Sequence, residues 1–359
     1  MARSSRFRFA SVAGGFAAAV ALAALTATPA VAQQPRPDLL NDTVVLKLPG
    51  MDKVTVRPNL LYKQAGERRL AFDLYLPPGS DAKGSAAPKG TRYPLVVFAN
   101  GVGDFGELAV KDWGVYKAWS RLTAVSGMAA VVYNARQESP VEDLADLMKH
   151  LRAQAADLRI DPDDVCIWSC SANVRATLSY TLDPANTFIK AAVFYYGALD
   201  PAVFRADLPI FLGRAGLDPM TNRGFDLYAA KAVAENAPVT VANLPNGRHA
   251  FDVFDDNDGS RAVVRQTLAF MKETLSPGYQ AGRAQRAEQV NMLALSRAKN
   301  WPAAAEAGAV WVKSDPENGF AKQLYAEALY NLKKYPDAGA AYAEAGDLGA
   351  APAMTWYNG

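Results

Sequence analysis

The chain is poor in histidine and has almost equal numbers of basic and acidic residues. Only His150 and His249 occur among its 359 residues, so a reaction that needs an imidazole base has two candidates. Basic and acidic residues number 38 and 36, and three of the arginines (Arg3, Arg6 and Arg8) lie in the first 32 residues. The remainder is nearly neutral, 35 against 36, which argues against the strongly basic surface of a nucleic-acid-binding protein.

Cysteines and long apolar runs are also scarce. Cys166 and Cys170 are the only two cysteines. A strand that includes Cys166 would hold the two residues too far apart for a disulfide, so we expect two buried free thiols. No apolar run after residue 32 is long enough to span a membrane.

The N-terminal segment, by contrast, has the pattern of a secretory signal peptide. Its arginines precede an alanine-rich apolar run from Phe9 to Leu25, and Ala30-Val31-Ala32 has the small residues of a cleavage site. We predict cleavage after Ala32 and a periplasmic or secreted mature protein. An uncleaved membrane anchor is the alternative, but Gly14-Gly15 interrupts the run, which is short for a span of about 20 residues.

Two patterns of apolar residues follow one another in the mature chain. Segments 43–48, 53–57 and 69–76 alternate apolar and polar side chains, as half-exposed antiparallel strands do. Continuous apolar runs then alternate with amphipathic helical segments. The runs are 95–99, 129–133, 165–168, 191–196, 210–212 and 239–242, and the helices are 108–126, 141–158, 172–182, 224–235 and 260–275. This alternation predicts an α/β fold whose parallel sheet is covered on both faces and carries its ligand site at the carboxyl ends of the strands.

A candidate nucleophile stands at one of these strand ends. The apolar run 165–168 leads into Ser169-Cys170-Ser171-Ala172-Asn173, and a helical pattern starts at once. In such a strand-to-helix turn the serine hydroxyl is exposed above the sheet. Ser171 is therefore the predicted nucleophile, although neither glycine of the usual Gly-x-Ser-x-Gly pattern is present. An ordinary strand-to-helix turn and a nucleophilic Cys170 are the alternatives.

The partners that a nucleophilic serine needs lie at two further strand ends. A serine requires a base to take its proton and a carboxylate to fix the tautomer of that base. His249 follows the last apolar run, whereas His150 lies within a helical segment, so His249 is the predicted base. Asp218, in a glycine-rich turn after run 210–212, is the predicted acid, ahead of Asp200 and Asp252.

An oxyanion hole needs backbone amides that point at the developing negative charge. The amide of Ala172, directly after the nucleophile, is the first expected donor. The second should come from the turn after run 95–99, where Asn100-Gly101-Val102-Gly103 allows close approach of the backbone. We expect Val102 to provide it, with Gly101 as the next choice. A purely structural glycine turn is the alternative.

Together these segments resemble the dienelactone hydrolase branch of the α/β-hydrolase superfamily over residues 55–276. The matching stretches are Asn100-Gly101-Val102-Gly103, the turn at Ser171, Phe194-Tyr195-Tyr196-Gly197, Gly216-Leu217-Asp218 and Arg248-His249-Ala250-Phe251. The resemblance implies an eight-stranded, mostly parallel sheet and hydrolysis of ester, lactone or related acyl bonds without a metal or an organic cofactor. About ten residues separate Gly197 from Leu208, which leaves room for a brief crossover helix but not for a cap domain.

The C-terminal part is alanine-rich and has a period of 34 residues. Trp301 matches Tyr335, and Ala304 matches Ala338, a spacing that resembles tetratricopeptide repeats. A third unit begins around Trp356 and stops at Gly359, so either the sequence is truncated or the repeats pack on the hydrolase domain. A plain helical hairpin is the alternative. The predicted division is thus 1–32 signal peptide, 33–276 hydrolase domain and 281–359 repeats.

Two functions from different classes fit this sequence. The first is an exported serine hydrolase that acts on small ester or lactone substrates. The second is a catalytically silent hydrolase fold whose repeats bind a protein partner. The missing glycines around Ser171 favour the second, and the chain order Ser171, Asp218, His249 favours the first.

Overall fold

The central element is one eight-stranded sheet. The structure is a computed structural model that describes residues 38–80, 90–102 and 109–350. The strands are β1 Thr55–Ala65, β2 Arg68–Leu76, β3 Tyr93–Phe98, β4 Ala129–Tyr133, β5 Ile160–Cys170, β6 Ile189–Tyr195, β7 Ile210–Ala215 and β8 Val239–Leu244. Their order in the sheet is β1-β2-β4-β3-β5-β6-β7-β8. Strands β1 and β2 are antiparallel to their neighbours, and all later pairs are parallel, which confirms the predicted sheet.

The helices of the first part connect these strands and cover both faces of the sheet. They are α1 Gly114–Val125, α2 Pro140–Ala153, α3 Ala155–Leu158, α4 Ala172–Thr181, α5 Asn222–Ala234, α6 Phe251–Phe254 and α7 Asp258–Thr274. Alternate residues of the central strands face opposite layers. Leu95 and Val97 belong to one apolar core, and Val96 and Phe98 belong to the other. The continuous apolar runs of the sequence are thus explained by burial on both faces.

The first predicted strands were partly wrong. Residues 43–48 form no strand, but Val44 and Leu46 are buried in the core. Strand β1 starts close to the predicted position and continues well beyond it, through Pro58. Proline is tolerated there because β1 is an edge strand, and a register shift next to Asn59, whose φ is +57°, accommodates it.

The connection from β6 to β7 also differs from expectation. Residues 198–209 form turns and no crossover helix. Arg205 stabilises this segment through a bidentate pair with Asp207, and its guanidinium also donates to the carbonyl oxygens of Asp183 and Asn186. The connection is therefore short.

The C-terminal helices have a small core of their own. They are α8 Pro277–Gln285, α9 Ala287–Arg297, α10 Trp301–Ser314, α11 Gly319–Asn331 and α12 Tyr335–Asp347. Met292, Trp311 and Leu324 form an apolar cluster with neighbouring alanines. Helices α10 and α12 begin 34 residues apart, at Trp301 and Tyr335. The relation to tetratricopeptide repeats stays a prediction, and its third unit, like the signal peptide, lies outside the described residues.

No helix in the described part of the chain has both the length and the apolar character that a membrane crossing requires.

Candidate active site

Ser171 lies in a strained turn between β5 and α4. Its φ and ψ are +53° and −133°, a region that residues other than glycine rarely adopt. The Ser171 amide donates to the carbonyl oxygen of Tyr195 at 3.0 Å, which ties the turn to the end of β6. A strained backbone held by its neighbours is typical of a nucleophile turn.

The close approach that makes this turn possible occurs at Gly197. A β-carbon there would lie 2.2 Å from Val174 Cγ2 and 2.7 Å from the Ser171 carbonyl oxygen. Ser169 and Asn173, which occupy the positions of the usual glycines, are both buried. The end of β6 therefore approaches the turn too closely to carry a side chain at position 197.

Two loops bring the predicted acid and base together. The turn after β7 and the loop after β8 are joined by hydrogen bonds from the Gly216 amide to Leu244 O, at 2.8 Å, and from the Leu217 amide to Gly247 O, at 2.9 Å. A side chain at Gly216 would collide with the backbone of Pro245. This backbone pairing holds Asp218 and His249 side by side.

The three predicted triad residues form a continuous relay. Ser171 Oγ is 2.8 Å from His249 Nε2, and His249 Nδ1 is 2.5 Å from Asp218 Oδ2. If Nδ1 carries the proton and donates to the carboxylate, Nε2 is left free to accept the serine proton. The arrangement can therefore generate a serine nucleophile.

Asp218 is suited to remain ionised. Its side chain is buried, which would raise the pKa, but the hydrogen bonds that it accepts from His249 and Thr221 outweigh burial, and the pKa lies below its ordinary value. Its second oxygen accepts the Met220 amide at 3.1 Å. Because both oxygens are held, the carboxylate has a fixed orientation toward the imidazole.

The other two candidate acids are placed elsewhere. Asp200 is exposed and accepts the amide of Ala202. Asp252 is fully buried and accepts from Tyr196 Oη at 2.6 Å and from Trp119 Nε1 at 2.8 Å, and burial raises the pKa of its carboxyl. The ring of Tyr196 contacts that of His249, with centroids 4.8 Å apart. Asp252 thus supports a residue that packs on the imidazole.

Next to the relay is a cavity of about 500 Å³, a size common for small-molecule sites. Ser171 and His249 line it together with mostly apolar side chains. The other lining residues are Val102, Ala172, Arg175, Ala176, Ala198, Met220 and Thr221. Such a surface suits an apolar group attached to the bond that reacts.

Among the three expected oxyanion donors, two are already engaged. The amides of Gly101 and Val102 both donate to Asn173 Oδ1, each at 2.8 Å. The amide of Ala172, the first residue of α4, belongs to the helix end where amides lack intrahelical acceptors. Asn173 is thus a site residue that was not predicted, and its only signal in the sequence is the absence of the usual glycine at this position.

The alternative nucleophile and base lie away from the relay. The buried Cys170 thiol is 3.6 Å from Tyr116 Oη, and burial raises its pKa to about 12, so it is protonated at neutral pH. The ring of His150 packs edge-on against Phe72, with centroids 5.7 Å apart. Both cysteines are free and buried, as expected.

One group of acids in the described part of the chain has the spacing of metal ligands, namely Glu142, Asp143 and Asp146. The ammonium of Lys63 lies 2.7, 2.9 and 2.6 Å from their carboxylates, in that order. Arg136 pairs with the first two acids as well. The cluster therefore has its own cations and joins β1 to α2.

Comparison with known proteins identifies the fold. No protein-family model and no curated protein sequence matches the chain. Among solved structures, the apo form of Thermogutta terrifontis esterase 2 is similar, with 18% identity and a TM-score of 0.51 over 64% of this chain and 98% of that one. Bacterial heroin esterase is similar with 14% identity and a TM-score of 0.51 over 63% and 86%. EstE1, a thermostable carboxylesterase cloned from a metagenomic library, has 16% identity and a TM-score of 0.50 over 62% and 90%. This chain therefore has the α/β-hydrolase fold, followed by a C-terminal helical region.

Proposed function

We propose that the protein is a serine hydrolase that cleaves carboxylic esters, lactones or related acyl bonds through an acyl-enzyme. The observation that carries the proposal is the relay of Ser171, His249 and Asp218, with contacts of 2.8 and 2.5 Å at the ends of three strands. The apolar cavity beside it supports a small uncharged acyl or alcohol group in the substrate. The structural neighbours that are named as esterases support the same class.

The chemistry follows from the positions of these atoms. Ser171 Oγ attacks the carbonyl carbon while its proton passes to His249 Nε2. The Asp218 carboxylate stabilises the resulting imidazolium through the proton on Nδ1. His249 then protonates the leaving alkoxide, and an ester of Ser171 remains. A water that gives its proton to His249 attacks this ester, and the acid is released as Ser171 recovers its proton.

A fluorophosphonate probe tests the proposal directly, because it forms a covalent bond only with an activated serine. We expect the wild-type protein to be labelled once, and peptide mapping should place the label on Ser171. The rival function, a silent scaffold whose repeats bind a protein partner, requires an unlabelled Ser171. Absence of labelling at neutral pH would therefore favour the scaffold.

Removing the C-terminal helices should leave the chemistry intact. The relay and the described residues that line the cavity lie before Pro277, and the cluster of Met292, Trp311 and Leu324 is a separate apolar core. We expect the fragment 33–277 to keep most of the turnover of p-nitrophenyl acetate, with some loss of thermal stability. A fragment that folds by circular dichroism but hydrolyses nothing would contradict the proposed independence of 33–276 and 281–359.

The predicted leader gives a further expectation. We propose that the enzyme acts in the periplasm or outside the cell after cleavage behind Ala32. Expression in a bacterium with an export pathway should yield a mature protein whose N-terminal sequence begins at Gln33. Recovery of the uncut chain in the membrane fraction would instead support the anchor.

A further inference from the structure

The side chain of Asn173 uses both ends of its carboxamide. Oδ1 accepts the amides of Gly101 and Val102, each at 2.8 Å, and Nδ2 donates to Tyr116 Oη at 3.1 Å. The residue is 6% exposed. Because two N–H groups can only meet an acceptor, the oxygen must face the loop, and this orientation is unambiguous. Asn173 therefore links the start of α4 to the turn after β3.

The two amides differ in their access to the cavity. Gly101 is buried, and a β-carbon on it would lie 2.3 Å from Pro140 and 3.4 Å from Ala176. Val102 is 39% exposed and lines the same cavity as Ser171 and Ala172. Val102 therefore belongs to the wall of the cavity that contains Ser171, whereas the Gly101 amide, among the described residues, has Asn173 as its partner away from that wall.

We propose that Asn173 is a positioning residue for the oxyanion hole, an inference that rests on the proposed function. Its Oδ1 holds the Gly101 and Val102 amides in place in the free enzyme. When the tetrahedral intermediate forms, the Val102 amide is shared with the negatively charged oxygen, which the Ala172 amide meets from the other side. A charged acceptor binds an N–H more strongly than a neutral carboxamide oxygen does, so sharing favours the intermediate.

This role explains why asparagine, and not glycine, occupies position 173. With glycine at position 173, the amides of Gly101 and Val102 would each lose the acceptor that the Asn173 side chain supplies. Loss of an acceptor is unfavourable for the amide of the buried residue Gly101, so the turn would rearrange. Asparagine at this position thus supplies an acceptor that a glycine cannot.

Two substitutions separate the positioning role from a merely structural one. In Asn173→Gly the acceptor is lost. We expect kcat for p-nitrophenyl acetate to fall about 10- to 100-fold while KM stays within about threefold, since displacement of an oxyanion donor affects mainly the transition state. Binding of an aryl trifluoromethyl ketone, which forms an oxyanion on Ser171, should weaken in parallel. Hydrogen exchange of the Gly101 and Val102 amides should accelerate at least about tenfold.

In Asn173→Asp the acceptor is kept but becomes charged. The two amides should stay protected from exchange, yet kcat should fall about 100-fold or more, because a carboxylate beside the developing oxyanion repels it and competes for the Val102 amide. Slow exchange combined with slow catalysis is a result that a structural role would not produce. Thr177→Val is the matched control, since Thr177 lies one turn further along α4. Within the described part of the chain, its hydroxyl donates to the Asn173 backbone carbonyl oxygen and not to the Asn173 side chain. Its kinetics should remain close to those of the wild type.

The outcomes distinguish this inference from the function on which it rests. If the wild type is labelled by fluorophosphonate and Asn173→Gly keeps its kcat, its ketone affinity or its amide protection, Asn173 does not position the hole. If Asn173→Asp turns over as fast as the wild type, the oxygen of residue 173 is not near the oxyanion and the proposal is overturned. A wild type that is neither labelled nor inhibited by the ketone refutes the proposed function, and with it the oxyanion role.

Discussion

Ser171→Ala is expected to lower p-nitrophenyl acetate hydrolysis by a factor on the order of 10⁴ or more. The hydroxyl is the group within 2.8 Å of His249 Nε2, and alanine leaves the imidazole without a nucleophile to activate. The expected loss is in kcat, measured in steady state on purified protein. Circular dichroism should be unchanged, because alanine removes one oxygen from a half-buried side chain.

Cys170→Ala is the control for this experiment. The Cys170 thiol is buried, and its raised pKa keeps it protonated, so the variant should retain most of the activity. The thiol lies 3.6 Å from Tyr116 Oη, which is long for a strong interaction, and it also has a side-chain hydrogen bond with Tyr196. An inactive Cys170→Ala beside an active Ser171→Ala would mean that the nucleophile is the cysteine.

His249→Ala should lower kcat by about a thousandfold or more. The imidazole is the only group that the structure brings within hydrogen-bonding distance of Ser171 Oγ among the described residues, and it is also the partner of Asp218. Without it the serine proton has no acceptor, and the Asp218 carboxylate is left without its imidazole partner. The loss should be seen equally in fluorophosphonate labelling, since both reactions need the activated hydroxyl.

His150→Ala provides the comparison within the same chain. Its ring packs against Phe72, so the variant should lose some stability through the missing contact while its turnover stays within about twofold. The thermal midpoint should therefore fall in His150→Ala with little change in kcat, whereas kcat should fall strongly in His249→Ala. A large loss of turnover in His150→Ala would contradict the assignment of the base.

The fold was largely predictable because its strongest signals are local. Continuous apolar runs occur where strands are buried on both faces, as at Leu95 to Phe98. Helices α4, α5 and α7 begin and end within two residues of the predicted positions, whereas α1 begins six residues later than predicted and the predicted helix 141–158 is divided into α2 and α3. The exceptions have physical reasons. Pro58 argues against a strand because proline has no backbone N–H to donate to a neighbouring strand, yet β1 is an edge strand and tolerates it. The sequence of residues 43–48 alternates apolar and polar side chains as a strand does. The segment buries Val44 and Leu46 but joins no strand of the sheet.

The site was predictable only in part, for a related reason. Ser171, Asp218 and His249 could be selected because strand ends converge at one edge of a parallel sheet. The contact of Asn173 with Gly101 and Val102 joins positions 72 and 71 residues apart, and no local pattern encodes it. The one available signal was a polar residue where glycine is usual. The hydrogen-bond partners of Asn173 could be identified only from the three-dimensional structure.

The packing at Gly197 bears on how this sequence can drift during evolution. The lack of room for a β-carbon beside Val174 and the Ser171 carbonyl makes position 197 intolerant of any side chain, whereas positions 169 and 173 already carry serine and asparagine. A search for distant homologues that demands glycine on both sides of the serine would reject this chain. A search that instead demands glycine two residues after the next strand would keep it, because that requirement follows from the space around the turn.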